Sequence, residues 1–122
     1  GVEISATRHR VAQRMLDASP PRARRRSSVV CGDASTACVD RTTAVFLSNL
    51  MFSAELTSRI ALQLETGMDI RVIGALVPFA PGSLPSFIED KSLAMCEMSW
   101  SLRGARTGVT MYRRVLPPQT HE

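Results

Sequence analysis

Three short segments that read as strands, the first with Val2 and Ile4 flanking Glu3, each end on residues able to hydrogen-bond a ligand. Val2-Glu3 ends on a carboxylate, Val29-Val30-Cys31 runs into Gly32-Asp33, and Ala44-Val45-Phe46-Leu47 runs into Ser48-Asn49. In a parallel α/β sheet, ligands sit beyond the carboxyl ends of the strands. An acidic residue ending the second strand of a nucleotide-binding sheet accepts hydrogen bonds from both ribose hydroxyls. That chemistry usually has a glycine-rich turn upstream, where backbone approaches the ligand closely, and this chain contains no G-x-G. Either the nucleotide reading fails, or the first strand and its loop lie outside these residues. Singly, each feature has a plainer use: Gly-Asp as a turn, Ser-Asn as helix capping. Three at successive strand ends, in order, carry more weight than one.

A second cluster is basic. Arg22-Ala23-Arg24-Arg25-Arg26 lies in the stretch Ser19–Ser28, which reads as a proline-broken loop. Such a run suits contact with nucleosomal DNA or a nuclear localisation signal, or is a solvated loop insertion. It has no interleaved aromatic residues, which disfavours single-strand recognition. Fourteen of the fifteen basic residues are arginine, Lys91 being the one lysine. Arginine suits phosphate because its guanidinium binds oxyanions bidentately. Codon bias explains the same excess equally well. Cys31, Cys38 and Cys96 form no C-x-x-C pair, and with His9 and His121 they draw no zinc spacing. No metal site is expected, and a reducing compartment fits best.

The elements that must position these residues follow from periodicity. A helix is predicted from about Thr7 to Ala18, with Val11, Ala12, Met15 and Leu16 on one face and Pro20-Pro21 ending it. Val29–Cys31 reads as a buried strand. Ala44–Leu47 is a second one, and Ser53–Thr66 a second helix stacking Leu56, Ile60 and Leu64. Ser53 suits its N-cap and Gly67 its end. Ile70–Leu76 is a further apolar strand, followed by a loop with Pro78, Pro81 and Pro85. Finally Ser92–Trp100 and Val109–Val115 read as an antiparallel hairpin, with Ala94, Cys96, Met98 and Trp100 alternating. The order β-α-β, β-α-β, β-β argues for an α/β fold whose parallel strands are covered on both faces.

Size and composition agree with one domain. The 122 residues, 44% hydrophobic and 21% charged, are ordinary globular composition. A chain of this length buries roughly 65% of the surface its unfolded form exposes. No apolar run approaches the roughly 20 residues that cross a bilayer, and GVEISATRHR lacks a signal peptide's apolar centre. A soluble protein, or a piece of one, is expected.

These pieces, in this order, resemble the second half of the catalytic domain of the disruptor-of-telomeric-silencing histone methyltransferases. Gly1-Val2-Glu3 matches the family's G-x-E, and Gly32-Asp33-Ala34 its G-D-apolar segment, with Ala34 where the family usually has phenylalanine. The most specific match is LSNLMFSAEL, residues 47–56, against V-N-N-F-x-F: Ser48 replaces the first asparagine while Asn49, Phe52 and Glu55 are kept. Pro78-Phe79-Ala80-Pro81 resembles a P-F-A-P stretch of some members. Ser99-Trp100 and Met111-Tyr112 resemble a serine-tryptophan and a tyrosine pair in the last hairpin, with Met111 in place of one tyrosine.

The resemblance implies a Rossmann-like class I S-adenosylmethionine methyltransferase sheet, incomplete at its N-terminal side and ending in an antiparallel hairpin. Residues 1–116 would be a partial catalytic domain and 117–122 a tail. Glu3, Asp33 and Ala34 would bind S-adenosylmethionine. Ser48, Asn49, Phe52 and Tyr112 would frame the opening for the substrate lysine, an apolar channel favouring the uncharged amine. The implied substrate is histone H3 in nucleosomes, in the nucleus, with Arg22, Arg24, Arg25 and Arg26 near nucleosomal DNA and no membrane. Two alternatives stay open: a methyltransferase with another substrate, and a non-catalytic basic chromatin-binding module.

Overall fold

The computed structural model describes residues 1–98 and 104–115, without the side chains of 91–94. Ser99, Trp100 and the tail 117–122 lie outside the described residues. The chain divides into two compact units, Gly1–Cys38 and Val39–Glu122.

The first unit is built from β1 (Val2–Glu3), α1 (Ala6–Asp17), α2 (Pro21–Arg26), β2 (Val30–Cys31) and a 3-10 turn at Ala34–Thr36. β1 and β2 pair in parallel, Val2 opposite Val30 and Glu3 opposite Cys31, so the first predicted β-α-β exists. Ser5 starts α1 by accepting from the Arg8 amide, which satisfies one otherwise orphaned N–H. Two expectations are corrected here. Val29–Cys31 is not a buried strand, since Val30 and Cys31 are both exposed. Nor is Ser19–Ser28 simply a loop: Pro21–Arg26 is helical. Pro20-Pro21 ends one helix and begins the next, because proline at the first helical position loses no hydrogen bond and brings a preset φ. No residue of α1 is buried, and Met15 on its apolar face is 68% exposed. Ser35 is the one buried residue of this unit.

The second unit holds β3 (Ala44–Leu47), α3 (Ala54–Thr66), β4 (Val72–Ala75), β5 (Phe87–Cys96) and β6 (Thr107–Arg114). Its four strands lie in the order β3-β4-β6-β5. β3 and β4 are parallel, and β6 runs antiparallel to both β4 and β5. The last strand therefore enters between its predecessors. Buried apolar side chains come from α3 (Ile60, Ala61, Leu64), β4 (Ile73, Ala75), β5 (Phe87), β6 (Val109, Tyr112) and the segments joining them. Ser53 caps α3 through the Leu56 amide, and Gly67 ends it, both as predicted. A Cβ at Gly67 would meet Ile70 Cδ1 at 2.5 Å, so space demands the glycine.

The fold is mixed α/β with a mixed sheet. Burial on both faces holds for Ile73–Ala75 of β4 but not for β3, where Phe46 is 56% exposed. An apolar run records that a strand is sticky; its neighbours decide how many faces are covered. The hairpin is real, yet β5 starts at Phe87 rather than Ser92 and ends before Met98. Exposed Ile88 and Glu89 blur its alternation, and its pairing with β6 shifts register between Asp90 and Ala94.

Candidate functional site

In the first unit the parallel pairing brings Glu3 and Asp33 to the same, carboxyl-terminal end of β1 and β2. Glu3 Oε1 accepts from the Ser5 amide at 2.8 Å and from Arg8 Nη2 at 2.9 Å. The Arg8 guanidinium, then the backbone amide, hold the Glu3 carboxyl below its ordinary range, and Glu3 in turn raises Arg8. Glu3 is thus ionised, with Oε2 making no bond among the described residues. Asp33 caps the following turn: its Oδ1 accepts from the Ser35 amide at 2.8 Å and the Ser35 hydroxyl at 2.7 Å. Ala34, half-buried, opens that turn.

In the second unit the polar residues after β3 do two different things. Ser48 is exposed, and its hydroxyl makes no bond among the described residues. Asn49 is 2% exposed. Its Nδ2 donates to the Val77 carbonyl and its Oδ1 accepts from the Val77 amide, each at 2.9 Å. One side-chain amide here replaces a backbone rung, extending the β3–β4 ladder past Leu47 and Leu76. Tyr112 on β6 is likewise buried, and its hydroxyl accepts from the Phe79 amide at 2.8 Å. The two rings meet edge to face, centroids 5.6 Å apart. Burial raises the Tyr112 phenol, only partly offset by the Phe79 amide, so it stays protonated. Asn49 and Tyr112 therefore grip the 77–79 segment from two strands. In this geometry they are positioning residues.

What they position is the wall of a cleft of about 350 Å³ at the N-terminal end of α3. Phe52, Val77, Pro78 and Phe79 supply apolar surface, and Thr57, Ser58 and Ser83 supply hydroxyls. Each hydroxyl donates its proton to a backbone carbonyl, of Ser53, Ala54 and Ala80 respectively. Their oxygens are left as acceptors only. An aliphatic chain ending in an N–H donor is the ligand chemistry that such a lining suits.

Compared with family models, with curated proteins and with solved structures, the chain matches none. Of the residues singled out in the sequence, Glu3, Asp33 and Ala34 fall in the first unit, and Ser48, Asn49, Phe52 and Tyr112 in the second. Phe52 lines the cleft; Asn49 and Tyr112 brace it. Sequence reasoning missed Thr57, Ser58 and Ser83, and the part played by the Val77 and Phe79 backbone. The only signal was a proline-rich loop following an apolar strand, which marks a place but not a bonding pattern.

Proposed function

We propose that this chain is the C-terminal part of a class I S-adenosylmethionine-dependent methyltransferase domain, acting in the nucleus on a lysine of histone H3 in the nucleosome. One observation carries the reading. The strand order β3-β4-β6-β5, parallel then antiparallel with the last strand inserted, is how the resembled sheet would end. The separate parallel pair β1-β2, with carboxylates at its C-terminal end, supports it further. In that reading a first strand with a glycine-rich turn comes from residues preceding Gly1.

Residues on hand fit the ribose end of the cofactor. Glu3 is ionised, and its Oε2 has no hydrogen-bond partner among the described residues, which suits a hydroxyl donor, while no G-x-G is present to serve the methionine end. When bound, the cofactor supplies an electrophilic methyl group on a sulfonium. The protein's part is to bring a neutral amine to it, because an ammonium has no free electron pair. Apolar walls from Phe52 and Phe79 and the positive end of α3 both disfavour the charged amine. Two of the oxygens of Thr57, Ser58 and Ser83 suffice to accept from the two N–H groups of the neutral amine, which orients its lone pair.

The test uses a longer protein that adds the upstream reading frame to this chain. Calorimetry should detect S-adenosylmethionine binding, weakened roughly tenfold or more by Glu3→Gln, since hydrogen bonds to charged groups contribute about 1.5–3 kcal/mol. Phe52→Ala should slow nucleosome methylation while sparing cofactor affinity. An upstream frame without a glycine-rich turn, together with no cofactor binding, would overturn the reading.

A further inference from the structure

Charge is segregated along this chain. Gly1–Cys38 carries seven arginines against Glu3, Asp17 and Asp33, a surplus of +4, whereas Val39–Glu122 balances eight basic against eight acidic residues. The whole net charge therefore belongs to the first unit. All seven arginines stand on α1 and α2, and every one is exposed. Arg8 pairs with Glu3, Arg10 bonds Thr7, and Arg24 reaches the Asp17 carbonyl. Arg14, Arg22, Arg25 and Arg26 make no side-chain hydrogen bond or ion pair among the described residues.

We propose that this arginine surface of α1 and α2 docks on the phosphate backbone of duplex DNA. The inference does not rest on the methyltransferase reading. Helix electrostatics account for part of the pattern, because Arg24–Arg26 sit in the last turn of α2, where cations offset the carbonyl dipole. They do not account for Arg22 in the first turn, where a cation is disfavoured and no acidic residue compensates. Ala23 is the half-buried residue of α2, which turns Arg22, Arg25 and Arg26 outward together. From Arg22 to Arg26 a helix rises about 6 Å, close to two phosphate steps of about 3.4 Å on one strand of B-form DNA. The side chains are guanidinium rather than ammonium, matched to phosphate oxygens.

The same unit lacks what other polyanions would ask for. It holds no Phe, Trp or Tyr, so it offers no stacking platform for unpaired bases and no aromatic anchor for a membrane interface. Binding should therefore be to backbone, insensitive to base sequence and steeply dependent on salt.

The experiment is fluorescence anisotropy of a labelled B-form duplex titrated with the full chain. Four phosphate contacts predict a loss of roughly a hundredfold in affinity from about 50 to about 200 mM salt. Arg22→Gln/Arg25→Gln/Arg26→Gln should lower the magnitude of the log–log salt slope by about 2.7 and abolish measurable binding at about 200 mM salt. The matching Lys triple should keep the slope. Arg41→Gln/Arg71→Gln/Arg106→Gln, which removes equal charge from the second unit, should bind like the wild type. A duplex of scrambled sequence should bind equally well. The proposal fails if both Gln triples weaken binding alike, if the Lys triple loses binding, or if no duplex binds. It fails equally if duplex RNA, single strands or phosphatidylserine vesicles bind more tightly than duplex DNA.

Discussion

Asn49 and Val77 hold each other through both ends of one amide, Nδ2 to carbonyl and amide to Oδ1, each at 2.9 Å. The pair ties the end of β3 to the end of β4 across 28 residues of sequence. Asn49→Ala leaves two backbone groups of Val77 without their partner, so stability should fall by about 2 kcal/mol in urea denaturation. The Val77 amide should also exchange faster with solvent. Asn49→Asp should not rescue it, since a carboxylate accepts from the amide but cannot donate to the carbonyl. Stability of Asn49→Ala within about 0.5 kcal/mol of wild type would mean that the clamp contributes little.

Tyr112 offers a direct optical test, because it is the single tyrosine of the chain. Its phenol is raised by burial, so tyrosinate absorbance in the folded protein should appear at higher pH than the ordinary value of about 10. In denaturant the midpoint should return to that value. The sign follows from linkage: above about 10 the unfolded chain has lost its phenolic proton and the folded one has not. This contribution to stability is therefore intact below pH 10 and declines as pH rises through the raised value. Tyr112→Phe should flatten that alkaline decline. A folded-state midpoint at or below about 10 would contradict the burial argument.

Gly67 and Ile70 should be energetically coupled. Adding a Cβ at Gly67 drives it into Ile70 Cδ1, and Ile70 is fully buried, so Gly67→Ala should cost about 1–3 kcal/mol. Ile70→Val removes that Cδ1. In the Ile70→Val background the same Gly67→Ala change should cost less, and thermal denaturation of the four proteins measures the difference. Simple additivity would rule out the clash as the cause.

The two units should differ in local stability. Ser35 alone is buried in the first unit, its two strands are two residues each, and short isolated two-stranded sheets are marginal in water. The amides of Val30 and Gly32, bonded to Gly1 and Glu3 carbonyls, should exchange much faster than those of Arg71 and Leu76. Equal protection in both units would show that the first unit has a stabilising partner surface not accounted for by its own contacts.

Local chemistry was legible in the sequence wherever a residue acts on its near neighbours. Ser53 and Gly67 bound α3 because a hydroxyl satisfies the orphaned Leu56 amide and a bulkier residue cannot pass Ile70. Ala44–Leu47 is a strand because its apolar run is closed by polar residues on both sides. The helix in the arginine stretch has an equally local cause, yet the loop reading overlooks it: a proline at a first helical position marks a start as well as a stop.

Tertiary structure alone decided the rest, because it depends on partners distant in sequence. That β6 lies between β4 and β5 follows from which edges find hydrogen-bond partners, and no run of residues encodes that choice by itself. The same holds for burial. Val30 and Phe46 belong to apolar runs like that of Ile73, yet the first two are exposed and only Ile73 gains neighbours that exclude water. The contacts of Asn49 and Tyr112 were hidden for this reason too. The family resemblance implies that they frame a substrate opening, and it says nothing of the Val77 and Phe79 backbone they bond, 28 and 33 residues away. A buried polar side chain must bond whatever the fold brings to it, and only the fold says what that is.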